Sequence, residues 1–285
     1  GIDTWGVDYA LVDENGQLID KMYGYRDSRM EGMDKEVYKI IPEKELYRQT
    51  GIQKAMYNTI YQLMADKIYH PESLEKAKAL LFVPDYFNYM LTGKMANEYT
   101  EATTSQLISP VTKDWNYELI EKLGYKKEIF QKIVTPGTSL GMMRPEIVEE
   151  IGYNLELVVP CTHDTGSAVL AVPANDDDFC FISSGTWSLL GLERDAADCS
   201  ESSYKNNFTN EGGYDYKFRY LKNIMGLWII QSVRHNLNDA YSFAQICAEA
   251  QKNSDFPTRI DVNADCFMAP ENMIEAIKEY CRVTN

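Results

Sequence analysis

Histidine is scarce in this 285-residue sequence, which has only three, and its six cysteines are scattered without any C-x-x-C spacing. A zinc site built from cysteine and histidine is therefore not expected, and neither is a disulfide scaffold. No apolar run approaches the roughly 20 residues that a membrane-spanning helix needs, and no signal peptide is recognisable. These absences predict a cytoplasmic protein that has no membrane partner.

Basic residues are also in short supply, with 28 lysines and arginines against 43 aspartates and glutamates, for a net charge of -15. Such a surface repels phosphate backbones, so no nucleic-acid partner is expected. An anionic nucleotide would need a locally organised pocket of backbone N–H groups. The hydrophobic content of 45% is typical of a folded chain. A chain of this length forms roughly one to two domains.

The junction between a strand and a helix stands out near the middle of the chain. Residues 157–159 are apolar and include the β-branched Val158 and Val159, which predicts a buried strand that Pro160 ends, because proline has no N–H to donate. Polar residues follow at 162–165, and small residues directly after them predict a helix. In α/β proteins, chemistry is concentrated between a strand end and a helix start. Asp164 is therefore a candidate functional residue, although a lone aspartate at such a position more commonly serves as a helix cap, here at Asp164 or Thr165.

A second candidate stretch opens the chain, where the first 13 residues predict a strand, a polar turn and another strand. Gly6 lies where the backbone turns tightly or approaches a ligand closely. Asp3 and Asp8 flank it, and together with Trp5 they suggest a polyol-binding lip. Carboxylates accept hydrogen bonds from hydroxyls, and an indole face covers the C–H surface of a sugar. Taken singly, each carboxylate also fits a solvated strand end.

Three further polar stretches have two interpretations each. Residues 97–106 are rich in small hydroxyl side chains, which fits a capped helix start or the lining of a cleft for hydroxylated ligands. Residues 183–186 (Ser-Ser-Gly-Thr) form a predicted hairpin tip, which is either an anion cradle or a plain turn. Asn223 is predicted to cap an apolar helix. Gln231 follows eight residues later, about 12 Å along that helix, so both side chains could border one pocket at different depths.

The domain boundary is predicted at residues 173–178, which have the composition of a linker. Residues 1–172 are then a first domain and residues 179–285 a second. The chain begins at Gly1 without a methionine, directly in strand-like sequence, and stops at Asn285 just after a helical segment. These ends predict a piece of a longer protein.

Taken in order, the motifs of this sequence resemble the FGGY carbohydrate kinases. The sequence motifs on which this resemblance rests lie at residues 1–9, 25–29, 84–87 with 91–94, 97–106, 163–165, 183–188, 209–213 and 222–228. They include Asp-Thr-Trp-Gly-Val-Asp at 3–8 and His-Asp-Thr at 163–165. Their order and spacing across nearly the whole chain carry the resemblance.

The resemblance implies an α/β chain of the actin-like (ribonuclease H-like) ATPase fold, with two domains and a cleft between them. It implies ATP and Mg²⁺ as cofactors and a ketose as substrate, L-rhamnulose being converted to its 1-phosphate. L-fuculose, D-xylulose and L-ribulose are alternative substrates, and a catalytically inactive sugar-binding module is an alternative function. The family's Asp-x-Gly phosphate motif before Gly1 and its glycine-rich adenosine motif after Asn285 are missing. The isolated 285-residue chain is therefore expected not to phosphorylate sugar.

The same resemblance assigns roles to individual residues, and it implies no metal ligand in this chain. Asp164 corresponds to the base that accepts the proton of the attacking sugar hydroxyl, and such a base must lie within hydrogen-bond reach of that hydroxyl. From its position, Asp8 is predicted to be a further sugar ligand. The other roles are sugar contacts by Gly6, His163, Thr165 and Asn223, and ATP contacts by Thr186 and Gln231.

Overall fold

The computed structural model describes residues 1–176, 179–185, 188–267 and 270–284. It divides into two compact units. Unit 1 comprises residues 1–180 and 191–221, and unit 2 comprises residues 181–190 and 222–285. The boundary predicted at residues 173–178 stays a prediction, since compactness groups residues 191–221 with the first unit.

Unit 1 is a mixture of short strands and helices. Its strands are β1 (Tyr9–Val12), β2 (Ala79–Phe82), β3 (Asn97–Glu98), β4 (Ile133–Val134), β5 (Ser139–Met142), β6 (Glu156–Val158) and β9 (Thr209–Gly212). Its helices are α1 (Met33–Tyr38), α2 (Glu43–Thr50), α3 (Thr59–Tyr69), α4 (Pro71–Lys76), α5 (Val83–Thr92), α6 (Tyr99–Thr103), α7 (Tyr117–Lys122), α8 (Pro145–Ile151), α9 (Asp164–Leu170) and α10 (Glu201–Lys205). Short 3-10 helices cover Ser28–Met30, Lys127–Ile129 and Tyr214–Tyr216.

The remaining elements complete the chain. Strands β7 (Cys180–Ser184), β8 (Ser188–Arg194) and β10 (Phe218–Ile224) form a sheet with β9 in the order β7-β8-β10-β9. Unit 2 also contains α11 (Leu227–Asn236), α12 (Phe243–Lys252), α13 (Met273–Thr284) and a 3-10 helix at Asp265–Phe267. Its core is a small cluster around Met225, Phe267 and Met273. Among the described residues, no helix has both the length and the apolarity to cross a membrane.

The core of unit 1 is built on the antiparallel pair β1–β2, in which Tyr9 lies opposite Phe82 and Val12 opposite Ala79. Every residue of both strands is buried, because α3 and its neighbouring helices pack against this pair. Residues 59–66 of helix α3 are buried on all faces of the helix. A helix that is buried all round belongs to the interior of a core.

The predicted strand–helix junction is present in unit 1, with its helix starting earlier than expected. Strand β6 ends at Val158, and α9 begins at Asp164 with His163 as its N-cap. The interpretation of Asp164 or Thr165 as the cap is therefore wrong. Thr4 pairs with His163 in a parallel bridge, and its carbonyl accepts a 2.8 Å hydrogen bond from the N–H of Asp164. The N-terminal segment thus runs directly beside the start of α9.

Candidate active site

The Asp164 carboxylate projects from the first residue of α9, and its side chain is 57% exposed. Its Oδ1 accepts a 2.5 Å bond from the N–H of Thr165 and a 3.2 Å bond from the Thr165 hydroxyl. These bonds hold the carboxyl group in one orientation while most of it stays accessible. The partial positive charge of a helix N-terminus stabilises a negative charge at this position. An accessible, oriented carboxylate of this kind can accept a proton from a bound hydroxyl.

A buried carboxylate fixes the loop that precedes Asp164. Glu98 accepts hydrogen bonds from the backbone N–H of Thr162 at 3.1 Å and from its hydroxyl at 2.8 Å. The same side chain caps α6, accepting from the N–H groups of Thr100 at 2.9 Å and Glu101 at 3.2 Å. Burial raises the pKa of Glu98, and the donors from Thr100 and Thr162 act against that rise. Glu98 therefore ties the start of α6 to the loop that carries His163 and Asp164.

The hydroxyl-rich stretch 97–106 forms a capped helix start, and its buried hydroxyls bond to protein. The Thr100 hydroxyl accepts a 3.3 Å bond from the N–H of His163, and the Thr104 hydroxyl accepts a 3.1 Å bond from the N–H of Val7. Both threonines are buried. The stretch therefore supports the two backbone segments of the candidate site, and these two hydroxyls are used within the protein.

Backbone strain marks the segment around Gly6. Val7 has a φ of 74°, which is rare for a β-branched residue and persists only where the surroundings enforce it. Its carbonyl accepts bonds from the Thr59 hydroxyl at 2.8 Å and from Gln62 Nε2 at 3.2 Å. A Cβ added to Gly6 would lie 3.0 Å from the Thr104 methyl carbon, so a larger residue at this position would crowd Thr104.

The predicted polyol-binding lip consists of an exposed indole and a buried carboxylate. Trp5 is 49% exposed, and its indole N–H donates a 2.9 Å bond to Asp8 Oδ2. Asp8 is buried and also accepts from the N–H of Tyr25 at 3.1 Å and from Gln62 Nε2 at 3.0 Å. Burial raises the pKa of Asp8, and the donors from Trp5 and Gln62 oppose the rise. With three donors already bound, the carboxylate has room for about one more.

The side chain of His163 is buried against two charged residues that sequence reasoning did not single out. Arg219 Nη2 lies 2.9 Å from His163 Nδ1, and the Arg219 Nε donates a 2.9 Å bond to the carbonyl of Gly212. Glu211 Oε2 lies 3.3 Å from Arg219 Nη1 and 3.5 Å from His163 Nδ1. The sequence feature that could have indicated this cluster is an arginine that lies between apolar residues in the strand at 218–221.

The carboxyl group of Glu101 is fully buried close to this cluster. Within the described part of the chain, neither of its oxygens has a hydrogen-bond partner. Burial raises the pKa of Glu101 well above its usual range, and the negative charges of Asp85, Glu98 and Asp164 raise it further. Glu101 is therefore expected to be a neutral carboxylic acid in the folded protein.

The other predicted site residues belong to unit 2 or lie outside the described residues. Asn223 lies in strand β10, and α11 starts only at Leu227 with Gly226 as its N-cap, so the helix-cap interpretation of Asn223 is wrong. The helical separation calculated between Asn223 and Gln231 does not apply either. Gln231 lies half-buried in α11. Thr186, the predicted ATP contact, lies outside the described residues.

Unit 1 therefore brings together Asp164, His163, Thr165 and the segment that contains Gly6. Over the described ranges, no group of three or more histidine, cysteine or acidic side chains is arranged to hold a metal ion. A magnesium ion commonly keeps several waters and needs only one or two carboxylates besides the substrate phosphates. The donor set of unit 1 is thus compatible with a magnesium ion that arrives with a nucleotide.

The model of the N-terminal domain of the FGGY family of carbohydrate kinases matches residues 1–171. The chain therefore belongs to the FGGY family of carbohydrate kinases, as its motifs predicted. Solved structures agree on the fold: a xylulose kinase from Lactobacillus acidophilus superposes with a TM-score of 0.77 at 19% identity, over 88% of this chain and 51% of that one. The glycerol kinase of Plasmodium falciparum gives 0.74 at 14% identity, over the same shares. The predicted actin-like α/β fold is confirmed.

Among curated proteins, this chain is similar to rhamnulokinases over its whole length. The rhamnulokinase of Oceanobacillus iheyensis is 50% identical over 285 residues, which are 100% of this chain and 60% of that protein. The rhamnulokinase of Bacillus subtilis is 40% identical over 287 aligned residues, covering 100% of this chain and 58% of its own length. The chain thus spans about three fifths of the length of these relatives.

Proposed function

We propose that this chain supplies the sugar site and the catalytic base of an ATP-dependent rhamnulokinase, which converts L-rhamnulose to L-rhamnulose 1-phosphate. The observation that carries the proposal is the exposed, oriented carboxylate of Asp164 beside the buried His163, in a chain that resembles rhamnulokinases along its entire length. A cytoplasmic location, where ATP is available, is part of the same proposal.

In the proposed reaction, Asp164 accepts the proton of the ketose hydroxyl that attacks phosphorus. Its two bonds from Thr165 both end on Oδ1, so they fix the direction of the carboxyl group without covering it. General bases of this kind contribute through position, since they must lie about 2.6–3.2 Å from the hydroxyl whose proton they accept. Phosphoryl transfer otherwise depends on alignment and on stabilising charge.

The proposed sugar contacts in unit 1 lie on two neighbouring segments. His163 and Thr165 flank the base on the same loop, and Gly6 contributes its backbone from the adjacent N-terminal segment. The strained Val7 supports this assignment, because enforced strain of this kind is concentrated at functional sites. The exposed Trp5 indole, held by Asp8, offers an apolar face for the sugar ring. The resemblance adds Asn223 as a further proposed sugar contact.

The proposed nucleotide contacts are Thr186 and Gln231. ATP, when bound, supplies the phosphoryl group, and Mg²⁺ balances the charge of its phosphates. No described cluster of ligands is needed for a magnesium ion held mainly by phosphates and water. The contribution of unit 1 is to orient the ketose and to receive its proton.

A substrate panel tests the proposed activity. A protein of the relatives' full length that carries this sequence is assayed with ATP and L-rhamnulose, L-fuculose, D-xylulose or L-ribulose. The proposal expects the highest kcat/KM with L-rhamnulose. A preference for another ketose would overturn the substrate assignment. Binding of a ketose in calorimetry without any ATP binding or turnover would instead indicate a sugar-binding module.

The role of Asp164 is tested by Asp164→Asn, which keeps the shape of the side chain and removes its ability to accept a proton. We expect turnover to fall by about 10²- to 10⁴-fold, the usual contribution of a general base. Ketose binding measured by calorimetry should change by only a few fold, because the contacts around the sugar remain. The exposed Asp195→Asn is the matched control and should alter neither quantity. Near-normal turnover in Asp164→Asn would reject this role.

A further inference from the structure

Arg219, a buried arginine of unit 1, lies directly against the imidazole of His163. The Arg219 side chain in β10 is fully buried, and a buried charge is tolerated only when it is paired and hydrogen-bonded. Its Nε donates to the Gly212 carbonyl, its Nη2 faces His163 Nδ1, and its Nη1 forms an ion pair with Glu211 Oε2 at 3.3 Å without a hydrogen bond. The group that it approaches most closely besides the backbone is therefore the imidazole of a proposed sugar contact.

This contact determines which nitrogen of His163 carries the hydrogen. Arginine has only donors and stays protonated, so at 2.9 Å from Arg219 Nη2 the Nδ1 atom must be the acceptor. An imidazole that accepts at Nδ1 is neutral and carries its single N–H on Nε2. An imidazolium would direct an Nδ1–H at the guanidinium. The Nε2 atom lies 3.5 Å from Asp164 Oδ1, so the N–H is on the side of the proposed base.

The charges around His163 agree with a neutral ring. Burial lowers the pKa of His163 well below its usual range, and the positive charge of Arg219 lowers it further. Glu211 from β9 and Asp164 from α9 are the acidic groups that face the ring, both 3.5 Å from one of its nitrogens. Glu211 is buried and lies nearer to Arg219 than to the ring, so it mainly compensates the guanidinium. Glu101 from α6 is expected to be neutral.

We propose that Arg219 is a positioning residue of the sugar site, which holds His163 as the neutral tautomer with its N–H on Nε2. His163 then serves as a fixed hydrogen-bond donor to a ketose oxygen. It also stays uncharged, so it does not form an ion pair with Asp164 that would compete with the ketose hydroxyl for the carboxylate. The tautomer follows from the contacts alone, whereas its use in sugar binding rests on the proposed function.

Nuclear magnetic resonance tests the tautomer directly, because the chain has only three histidines. Long-range ¹H–¹⁵N spectra of the ¹⁵N-labelled 285-residue chain distinguish the two neutral tautomers and the imidazolium, and His163→Gln assigns the His163 signals. We expect the Nε2–H pattern, unchanged between about pH 5.5 and 8, where an ordinary imidazole titrates. An Nδ1–H pattern, or titration of His163 within that range, would overturn the proposal.

Variants test whether Arg219 is the cause. In Arg219→Met combined with Glu211→Gln, which leaves no unpaired buried charge, His163 loses the donor that faces Nδ1 and should populate both neutral tautomers, because its burial is unchanged. Arg219→Lys keeps the charge and one donor, so it should preserve the neutral ring. Arg194→Met is the matched control, since Arg194 is a partly exposed arginine paired with Asp198, and it should leave the spectrum unchanged. An unaltered His163 in the double variant would reject the assignment.

Kinetics of a full-length protein that carries this sequence separates positioning from folding. The double variant should lose about tenfold in kcat/KM, the scale of one hydrogen bond, with partial rescue by Arg219→Lys. A loss that Arg219→Lys does not rescue would indicate a merely structural role, and an unchanged kcat/KM would overturn the positioning role. If the tautomer is as expected but no ketose is phosphorylated, the proposed function fails and the tautomer assignment stands.

Discussion

Replacing the buried Glu101 by glutamine should change how the stability of unit 1 depends on pH. The glutamine has nearly the same shape as the neutral acid, so the cavity stays filled. The glutamate has no hydrogen-bond partner in the described structure, and its pKa is raised by burial and by three acidic neighbours. The unfolded chain releases this proton above the ordinary glutamate pKa of about 4.5, whereas the folded chain retains it.

The magnitude follows from proton linkage. Below a pH of about 4.5 both states bind the proton, so wild type and Glu101→Gln should respond to pH alike. Above it the native state holds one proton more, and the wild-type unfolding free energy falls by about 1.4 kcal/mol for each pH unit. That decline continues until the pH reaches the raised pKa of the folded state. Between pH 5 and pH 7 the unfolding free energy of the variant, relative to that of the wild type, should thus rise by up to about 2.7 kcal/mol.

The assay is urea unfolding at pH 5, 6, 7 and 8, followed by tryptophan fluorescence, to which the buried Trp115 of the unit 1 core contributes. The quantity compared is the difference in unfolding free energy between variant and wild type, in which the titration of unrelated groups cancels. The exposed Glu118→Gln serves as the control and should show no slope. A difference for Glu101→Gln that is independent of pH would show that Glu101 is ionised in the folded protein, and the reasoning from its burial would fail.

Two further substitutions test the packing around the site. Glu98→Gln directs an amide donor at groups that already donate to Glu98, so it should cost about 3 kcal/mol of unfolding free energy in the same urea assay, the upper range for an unsatisfied buried group. The exposed Glu149→Gln is the control and should cost almost nothing. Equal urea midpoints for the two variants would contradict the role of Glu98 in fixing the loop before Asp164. Gly191→Ala places a Cβ 2.6 Å from Leu221 Cβ, so it should lower the unfolding free energy by about 1–3 kcal/mol. Gly24→Ala is the control and should be neutral, because a Cβ at that position meets nothing within 4 Å. An unchanged unfolding free energy in Gly191→Ala would refute the predicted clash.

The strand–helix junction around Asp164 was predictable because its signals are local. Pro160 cannot extend a strand, and Ala168, Leu170 and Ala171 favour a helix. The helix nevertheless begins at Asp164, with His163 as its cap. Histidine is not among the preferred N-cap residues, so sequence preference alone could not locate this boundary.

The location of Asn223 was predicted wrongly because a tertiary contact overrides local preference. The apolar run that follows Asn223 has helical character. Residues 218–221 instead pair with β9, Phe218 opposite Gly212 and Leu221 opposite Thr209, and the strand continues to Ile224. Strand pairing that depends on residues at a distance in sequence cannot be read from a window of the chain.

The cluster around His163 could not be predicted for a related reason. Arg219 is 56 residues from His163 in sequence, and an arginine within a strand is usually expected on a solvated face. Its burial makes sense only once Glu211 and the Gly212 carbonyl are known to face it. Long-range compensation of a buried charge leaves almost no local pattern.

The two backbone segments of the candidate site depend on one short helix. Thr104 accepts from Val7 next to Gly6, and Thr100 accepts from His163 next to Asp164, while Glu98 caps the same helix. Because helix α6 is only five residues long, its hydrogen bonds alone cannot stabilise it, and its geometry depends on its cap and its burial. A disturbance of α6 would therefore displace the Gly6 segment and the Asp164 loop together. Buried polar residues that are not themselves proposed sugar contacts thus determine the geometry between the proposed base and the backbone proposed to hold the sugar.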